Sequence, residues 1–234
     1  MDQIGNIRRY LKLASREPAS PSRPRPKGPL PFVTISRDSG AGGRTLAQSL
    51  LDEIEKRQGS PVFEDWSIFD GALCERVASD PELNVGLHEL LDESSLNAAE
   101  DMVAVLLGKT PQRDIHRKVI ETIRELALVG RSIIIGRGAA GITRDLATGI
   151  HIRLVAPLEV RVEREAAESG GATEEVTRTV QERDRNRASF VKRLCGHDIN
   201  DPLLYDAVYN TERTPIDIIS SGIVDWMERS VQGS

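Results

Sequence analysis

The chain has 234 residues, of which 39% are apolar, 29% charged and 4% aromatic, with a formal net charge of −5. This predicts one globular domain with a sizeable core. The low aromatic content excludes a base-stacking platform, and the negative charge argues against non-specific nucleic-acid binding. Two cysteines exclude a disulfide scaffold and a four-cysteine zinc site. Without a secretory or membrane-spanning apolar run, we expect a cytoplasmic protein.

Residues 1–30 differ from residues 31–234 in charge and proline content. They carry a net charge of +5, and six of the 12 prolines lie within residues 18–31. Because proline fixes φ and lacks an N–H, this stretch predicts an extended basic linker. A helical apolar face precedes it, formed by Ile4, Ile7, Leu11 and Ala14. This helix either docks a partner or an anionic membrane surface, or is a frayed N-terminal helix; we favour the frayed helix.

From residue 31 onward, strands and helices are predicted to alternate. The apolar run 31–36 predicts a first strand, and the spacing of Leu46, Leu50 and Ile54 predicts a helix after it. Residues 61–63 are a candidate second strand. The expected helix starts are Asp70, Asp80-Pro81 and Thr110-Pro111.

The second half of the chain continues this alternation. A helix over 111–129 is expected to end at Gly130, and the apolar run SIII then predicts a strand. The remaining predicted elements are a strand at IHIRLVAP, helices over 157–168 and 173–194, a strand at LYDAVYN and a helix over 215–230. Such alternation predicts a parallel sheet covered on both faces. Ligands of such sheets bind beyond the carboxyl ends of the strands.

The turn after the first strand has three glycines in four residues. Its sequence is Ser36-Arg37-Asp38-Ser39-Gly40-Ala41-Gly42-Gly43-Arg44-Thr45. Glycines there let backbone N–H groups approach an anion, so the turn predicts a phosphate site. The pattern G-x-x-x-x-G-K-[ST] is not met, because the lysine is missing. Arg37 or Arg44 is a candidate to supply the charge.

The same turn partly matches a dinucleotide fingerprint. Gly40-x-Gly42, with Glu64 or Asp65 after the candidate second strand, fits the start of that pattern. Thr45 stands at the third glycine position, so the match is weak.

Two arginine-bearing segments favour phosphoryl chemistry. Gly136-Arg137-Gly138 follows a very apolar strand, which places a cation at the mouth of a site. Arg183 and Arg187 are four residues apart, so their guanidinium groups share one helical face. Two such groups suit a polyphosphate, whose negative charge must be neutralised during transfer. The alternative is a solvated helix with internal ion pairs.

Six segments together, in order, resemble the cytidylate kinase-like family. They are SRDSGAGGRTLA, FDGALCERVA, IIIGRGA, APLEVRVERE, ERDRNRASF and DPLLYDAVYNT. The resemblance covers roughly residues 31–230 and implies a three-layer α/β P-loop NTPase fold with a parallel sheet, a helical lid and a monophosphate-binding insertion. It also implies ATP as donor, Mg²⁺ and a nucleoside monophosphate as acceptor, with CMP or dCMP expected first.

Residue roles follow from the resemblance. Ser39, Gly40, Ala41, Gly42, Gly43, Arg44 and Thr45 would wrap the donor phosphates, with Thr45 or Ser39 near Mg²⁺. Asp70, Arg76 and Arg137 match the acceptor side. Arg183, Asp184 and Arg187 match the lid, which closes on the transferred phosphoryl group.

The family pattern is broken at two positions: the loop lacks its lysine, and Gly138 replaces an aspartate. These departures keep two alternatives open, a nucleotide-binding regulator with little or no turnover and a kinase of a different small acceptor.

Overall fold

The computed structural model describes residues 3–14, 30–57, 60–91, 96 and 114–232. Its helices are α1 (Gln3–Ala14), α2 (Gly43–Lys56), α3 (Gly71–Ser79), α4 (Pro81–His88), α5 (Asp114–Val129), α6 (Ala139–Ile142), α7 (Leu158–Ser169), α8 (Thr173–Cys195) and α9 (Ile216–Gln232). Its strands are β1 (Phe32–Arg37), β2 (Ser67–Phe69), β3 (Ser132–Ile135), β4 (Gly149–Val155) and β5 (Ala207–Asn210).

The five strands form one parallel sheet in the order β2-β3-β1-β4-β5. The central strand β1 pairs with both β3 and β4, so that Val33 lies opposite Ile133 and Ile150. The carboxyl ends of β1 and β3 are therefore neighbours, and the turns that follow them meet at one edge of the sheet.

Two apolar cores cover the two faces of the sheet. Strand side chains alternate between faces, so Phe32 joins the core formed with α1, α3, α4 and α5, and Val33 and Ile35 join the core formed with α2 and α9. The helices α7 and α8 pack against each other through a separate, smaller apolar cluster of Val162, Val176 and Val180. The predicted three-layer P-loop NTPase fold is confirmed.

The second strand lies later in the chain than predicted. Residues 61–63 form a 3-10 turn with Pro61 in its first position, and the strand is Ser67–Phe69. The Val62 carbonyl accepts a hydrogen bond from Trp66 Nε1 at 2.7 Å, which stabilises the turn. Glu64 and Asp65 thus precede β2 instead of following it, and the dinucleotide fingerprint loses its acidic residue.

Capping residues place several helices as predicted. The Asp70 side chain accepts from Leu73 N, and Asp80 accepts from Glu82 N and Leu83 N. Gly130, with φ +75°, follows the end of α5. The predicted start at Thr110-Pro111 lies outside the described residues.

The N-terminal helix α1 is packed onto the domain, so the expectation of a frayed helix is wrong. Ile7 and Tyr10 are 1% and 2% exposed in the core beside α3 and α4. The Tyr10 hydroxyl donates to the Gly130 carbonyl at 2.7 Å. The domain therefore covers Ile7 and Tyr10, and Leu11 packs against the same core. The linker before residue 30 lies outside the described residues, and the division at residue 30 stays a prediction. Among the described helices, none has the length and apolar character needed to cross a membrane.

Buried His151 gives the fold a pH dependence. Its Nδ1 lies 2.8 Å from Thr34 Oγ1 within the sheet, and burial lowers its pKa below the ordinary value of 6.5. The unfolded chain therefore binds a proton near pH 6.5 that the folded chain excludes, so this contribution to stability is complete above that pH and is lost as the pH falls below it.

We expect the free energy of unfolding, measured with urea, to fall between about pH 7.5 and about pH 5.5. The His151→Gln variant keeps a polar side chain but cannot titrate, so its stability should change less over the same range. Equal pH slopes for the two proteins would contradict this assignment.

Candidate phosphoryl-transfer site

The glycine-rich loop between β1 and α2 has two left-handed residues. Gly40 and Gly42 have φ values of +77° and +85°, which favour glycine. A Cβ at Gly40 would also lie 2.5 Å from the carbonyl oxygen of Arg161 on α7. The loop therefore folds tightly against α7, and α2 begins directly after it.

Asp184 ties this loop to helix α8. Its carboxylate accepts from the Ser39 backbone N–H at 2.7 Å, from Arg161 Nη1 at 2.6 Å and from Arg187 Nη1 at 3.2 Å. The Arg161 Nη1 also donates to the Ser39 carbonyl at 3.0 Å. Asp184, which the family resemblance matches to the lid, thus contacts the loop and two arginines.

The two loop arginines differ in burial and pairing. Arg37, the last residue of β1, is half-buried, and burial together with nearby Arg187, Arg44 and Arg137 lowers its pKa to about 10. Arg44 has an 85% exposed side chain and lies 3.5 Å from Asp70. Both arginines line the same cavity.

The turn after β3 places the Arg137 side chain against Gly71, at the start of α3. Arg137 has a φ of +54°, and its side chain crosses Gly71, where a Cβ would collide with the Arg137 Nε. Its guanidinium forms an ion pair with the Glu75 carboxylate at 2.6 Å. Because Gly71 has no Cβ, the Arg137 side chain can pass across the start of α3.

Arg183 and Arg187 lie four residues apart on α8. Arg183 is 52% exposed and pairs with Glu165 of α7 at 2.8 Å. Arg187 is 30% exposed and pairs with Asp184, and burial lowers its pKa. Both arginines therefore form ion pairs, as expected for a solvated helix. Both nevertheless line the same cavity.

A cavity of about 700 Å³ joins these groups at the carboxyl edge of the sheet. It is bounded by the ends of β1 and β3, by the start of α3 and by α8. Its lining includes six arginines, which are Arg37, Arg44, Arg137, Arg183, Arg187 and Arg193. Among the lining residues that the structure describes, Asp70 is the acidic one. Such an excess of fixed positive charge suits a ligand with several phosphate charges.

Other predicted site residues lie beside this cavity rather than in its wall. Ser39, Gly40, Ala41, Gly42, Gly43 and Thr45 form the loop and the first turn of α2. Arg76 is exposed on α3 and does not line the cavity.

The loop offers one accessible hydroxyl for a metal ion. Thr45 is exposed in the first turn of α2, whereas Ser39 is 3% exposed. In the part of the chain that the structure describes, no group of three His, Cys, Asp or Glu residues is arranged to hold a metal ion. Mg²⁺ bound mainly through substrate phosphates and water needs only one or two protein oxygens. Thr45 fits that requirement.

Comparison with known proteins places the chain in a family. The family model described as the cytidylate kinase-like family matches residues 32–213. The chain belongs to this family. The predicted enzyme class, a nucleotide kinase, is thereby confirmed, and the dinucleotide alternative is excluded.

Curated relatives span most of the chain. It is 37% identical over 210 residues to the cytidylate kinase of Methanopyrus kandleri, covering 84% of this chain and 95% of that protein. It is 27% identical over 181 residues to the cytidylate kinase of Pyrococcus horikoshii, covering 77% and 80%. A crystal structure of an uncharacterized protein from Eubacterium ventriosum has a TM-score of 0.65 at 18% identity, covering 85% of this chain and 98% of that one. This last likeness concerns the fold alone.

Three arginines that support the site were not singled out from the sequence. Arg161 holds the loop, and Arg164 donates to Thr211 Oγ1 at 3.0 Å and to the Thr211 carbonyl at 2.9 Å. Arg153 is 4% exposed on β4 and donates to Asp38 at 2.7 Å. A charged residue inside an otherwise apolar strand signals a buried partner, and this signal could have identified Arg153.

Proposed function

We propose that the protein transfers the terminal phosphoryl group of ATP to a nucleoside monophosphate, with CMP or dCMP as the first acceptor. The observation that carries this proposal is the cavity with six lining arginines beside a glycine-rich strand–helix loop. Family membership supports the same class of reaction.

Each side of the cavity has a distinct task in this reaction. The loop and Thr45 would bind the donor, and Thr45 would hold Mg²⁺, which supplies charge neutralisation at the donor phosphates. Arg137 would orient the acceptor phosphate from the turn after β3. Arg183 and Arg187 would neutralise the charge that spreads over the moving phosphoryl group.

The acceptor needs no strong general base. A phosphate monoester carries a nucleophilic oxygen at neutral pH, so positioning and exclusion of water supply the catalysis. Helix α8 carries Arg183 and Arg187 to the cavity, and closure of α7 and α8 over the cavity would keep water from the phosphoryl group.

Gly138 favours a second candidate, a kinase of the same class with a different acceptor. A Cβ at Gly138, where φ is +70°, would lie 3.2 Å from Leu194 Cδ2 and 3.5 Å from Cys195 Sγ. The aspartate of related turns would therefore be strained and would meet apolar atoms of α8. Its absence removes an acceptor of hydrogen bonds from a cytosine base or its sugar.

An assay of ADP release tests both candidates. We expect turnover with Mg²⁺-ATP only when a suitable acceptor is added, first CMP or dCMP among a panel of nucleoside monophosphates. Arg187→Ala, purified in the same way, shows whether a contaminating kinase is responsible. Turnover with another phosphorylated acceptor would support the second candidate. ATP binding without turnover on any acceptor would contradict both and favour a regulator.

A further inference from the structure

Gly43 occupies the position of the missing loop lysine. When Ser39-Gly40-Ala41-Gly42 is aligned with the S-G-A-G of related loops, the lysine of the usual pattern falls on residue 43. Gly43 begins α2 and is absent from the residues with positive φ. The backbone conformation at residue 43 therefore does not require glycine, so the presence of glycine there must have another cause.

The side chain of Arg37 occupies the space that a residue at 43 would need. A Cβ on Gly43 would lie 2.9 Å from Arg37 Cγ and 3.1 Å from Arg37 Cδ. These atoms belong to the stem of a side chain fixed in a buried strand, so they cannot move away easily. Gly43 and Arg37 thus form a complementary pair.

A second glycine makes room for the guanidinium group. A Cβ on Gly136, in the turn after β3, would collide with Arg37 Nη1. The Arg37 side chain therefore runs from the end of β1 across the start of α2 to the neighbouring turn. There its guanidinium lines the cavity between the loop and Arg137.

Arg37 also differs from the neighbouring arginines in its partners. Arg44 pairs with Asp70, Arg137 with Glu75 and Arg187 with Asp184. No carboxylate or carbonyl among the described residues forms a hydrogen bond or an ion pair with Arg37. Arg187, Arg44 and Arg137 repel this cation, and Asp70 attracts it. Holding it beside three like charges costs free energy, which an anionic ligand would offset.

We propose that Arg37 performs the role of the missing lysine by binding the phosphates at the point of transfer, and that Gly43 is small because Arg37 needs its space. This inference rests on the proposed function and chooses Arg37 over Arg44. The cation would reach the phosphates from the strand instead of from the helix, and its planar fork would contact two phosphate oxygens at once.

Moving the cation from residue 37 to residue 43 tests the proposal. Arg37→Met keeps most of the stem and removes the charge, so kcat should fall about 100-fold. The melting temperature should not fall, because repulsion among the arginines is relieved. Gly43→Lys alone should lower both the melting temperature and kcat, because its stem overlaps that of Arg37. The double variant Arg37→Gly/Gly43→Lys should recover kcat about tenfold above Arg37→Met.

Arg44→Met is the matched comparison, and the affinity for ADP measured by calorimetry is the second readout. We expect Arg44→Met to lose less activity than Arg37→Met. A larger loss in Arg44→Met, or no recovery in the double variant, would overturn the assignment of Arg37.

A wild-type protein without turnover on any acceptor would overturn the proposed function, and ADP affinity would then test Arg37 alone. In that case Arg37→Met should weaken ADP binding, and the double variant should restore it. Equal ADP affinities would overturn the Arg37 assignment, and no ADP binding by the wild-type protein would overturn both.

Discussion

Arg187→Ala should lower kcat by about 1000-fold while changing the affinity for ATP by less than about threefold. Arg187 is 30% exposed at the cavity wall, where the phosphoryl group would be transferred. Charge spreads over the transferred oxygens in the transition state, so a guanidinium there stabilises that state more than the bound substrates. Rapid-quench kinetics and ATP titration separate the two effects.

Two further variants make this prediction specific. Arg185 lies on the same helix but is exposed and outside the cavity lining, so Arg185→Ala should keep the wild-type kcat. Arg187→Lys keeps the charge but loses the planar fork, so it should recover only part of the activity. A wild-type kcat in Arg187→Ala would remove the assignment of α8 as the catalytic lid.

Local sequence signals were enough to predict most of the fold. The apolar strand SIII, the capping Asp70 and the glycine after α5 each act through neighbours in the chain, so their elements lie where predicted. The strand β2 was misplaced because Ser67–Phe69 has only three residues and no alternation to detect. The helix α1 was misjudged because burial of Tyr10 depends on Gly130, which is 120 residues away.

The candidate site also has features that local sequence patterns indicate and features that depend on contacts between distant residues. Arg137, Arg183 and Arg187 stand in short recognisable patterns, and they line one cavity. The contact between Asp184 and the Ser39 amide joins residues 145 apart, so no local pattern could indicate it. The choice between Arg37 and Arg44 likewise depends on the space beside Gly43 and Gly136, and only the folded chain brings these glycines to Arg37.

Arg161→Met should lower both stability and donor binding, because Arg161 holds the glycine-rich loop through hydrogen bonds. Its side chain is 10% exposed and donates to the Ala156 carbonyl, the Ser39 carbonyl and the Asp184 carboxylate. Methionine fills similar space but leaves two carbonyls and one carboxylate without this donor. We expect the free energy of unfolding to fall by about 2–3 kcal/mol, and the melting temperature by about 5–10 °C.

The same variant should also disturb donor binding. The Ser39 segment would lose one of its two tethers, so kcat/KM for ATP should fall about tenfold or more while the acceptor KM changes less. Arg178→Met removes an arginine that is 78% exposed and pairs with Glu174 across one turn of α8, so it should change neither quantity.

A double-mutant cycle shows whether the loss arises from the ion pair. Asp184→Asn keeps the shape of the side chain and removes its charge. If Arg161 acts on the loop through Asp184, adding Arg161→Met to Asp184→Asn should cost clearly less stability than Arg161→Met costs in the wild-type protein. Strictly additive losses would mean that Arg161 acts through the two carbonyls alone, and the loop would then be held by backbone contacts instead of by the charge on α8.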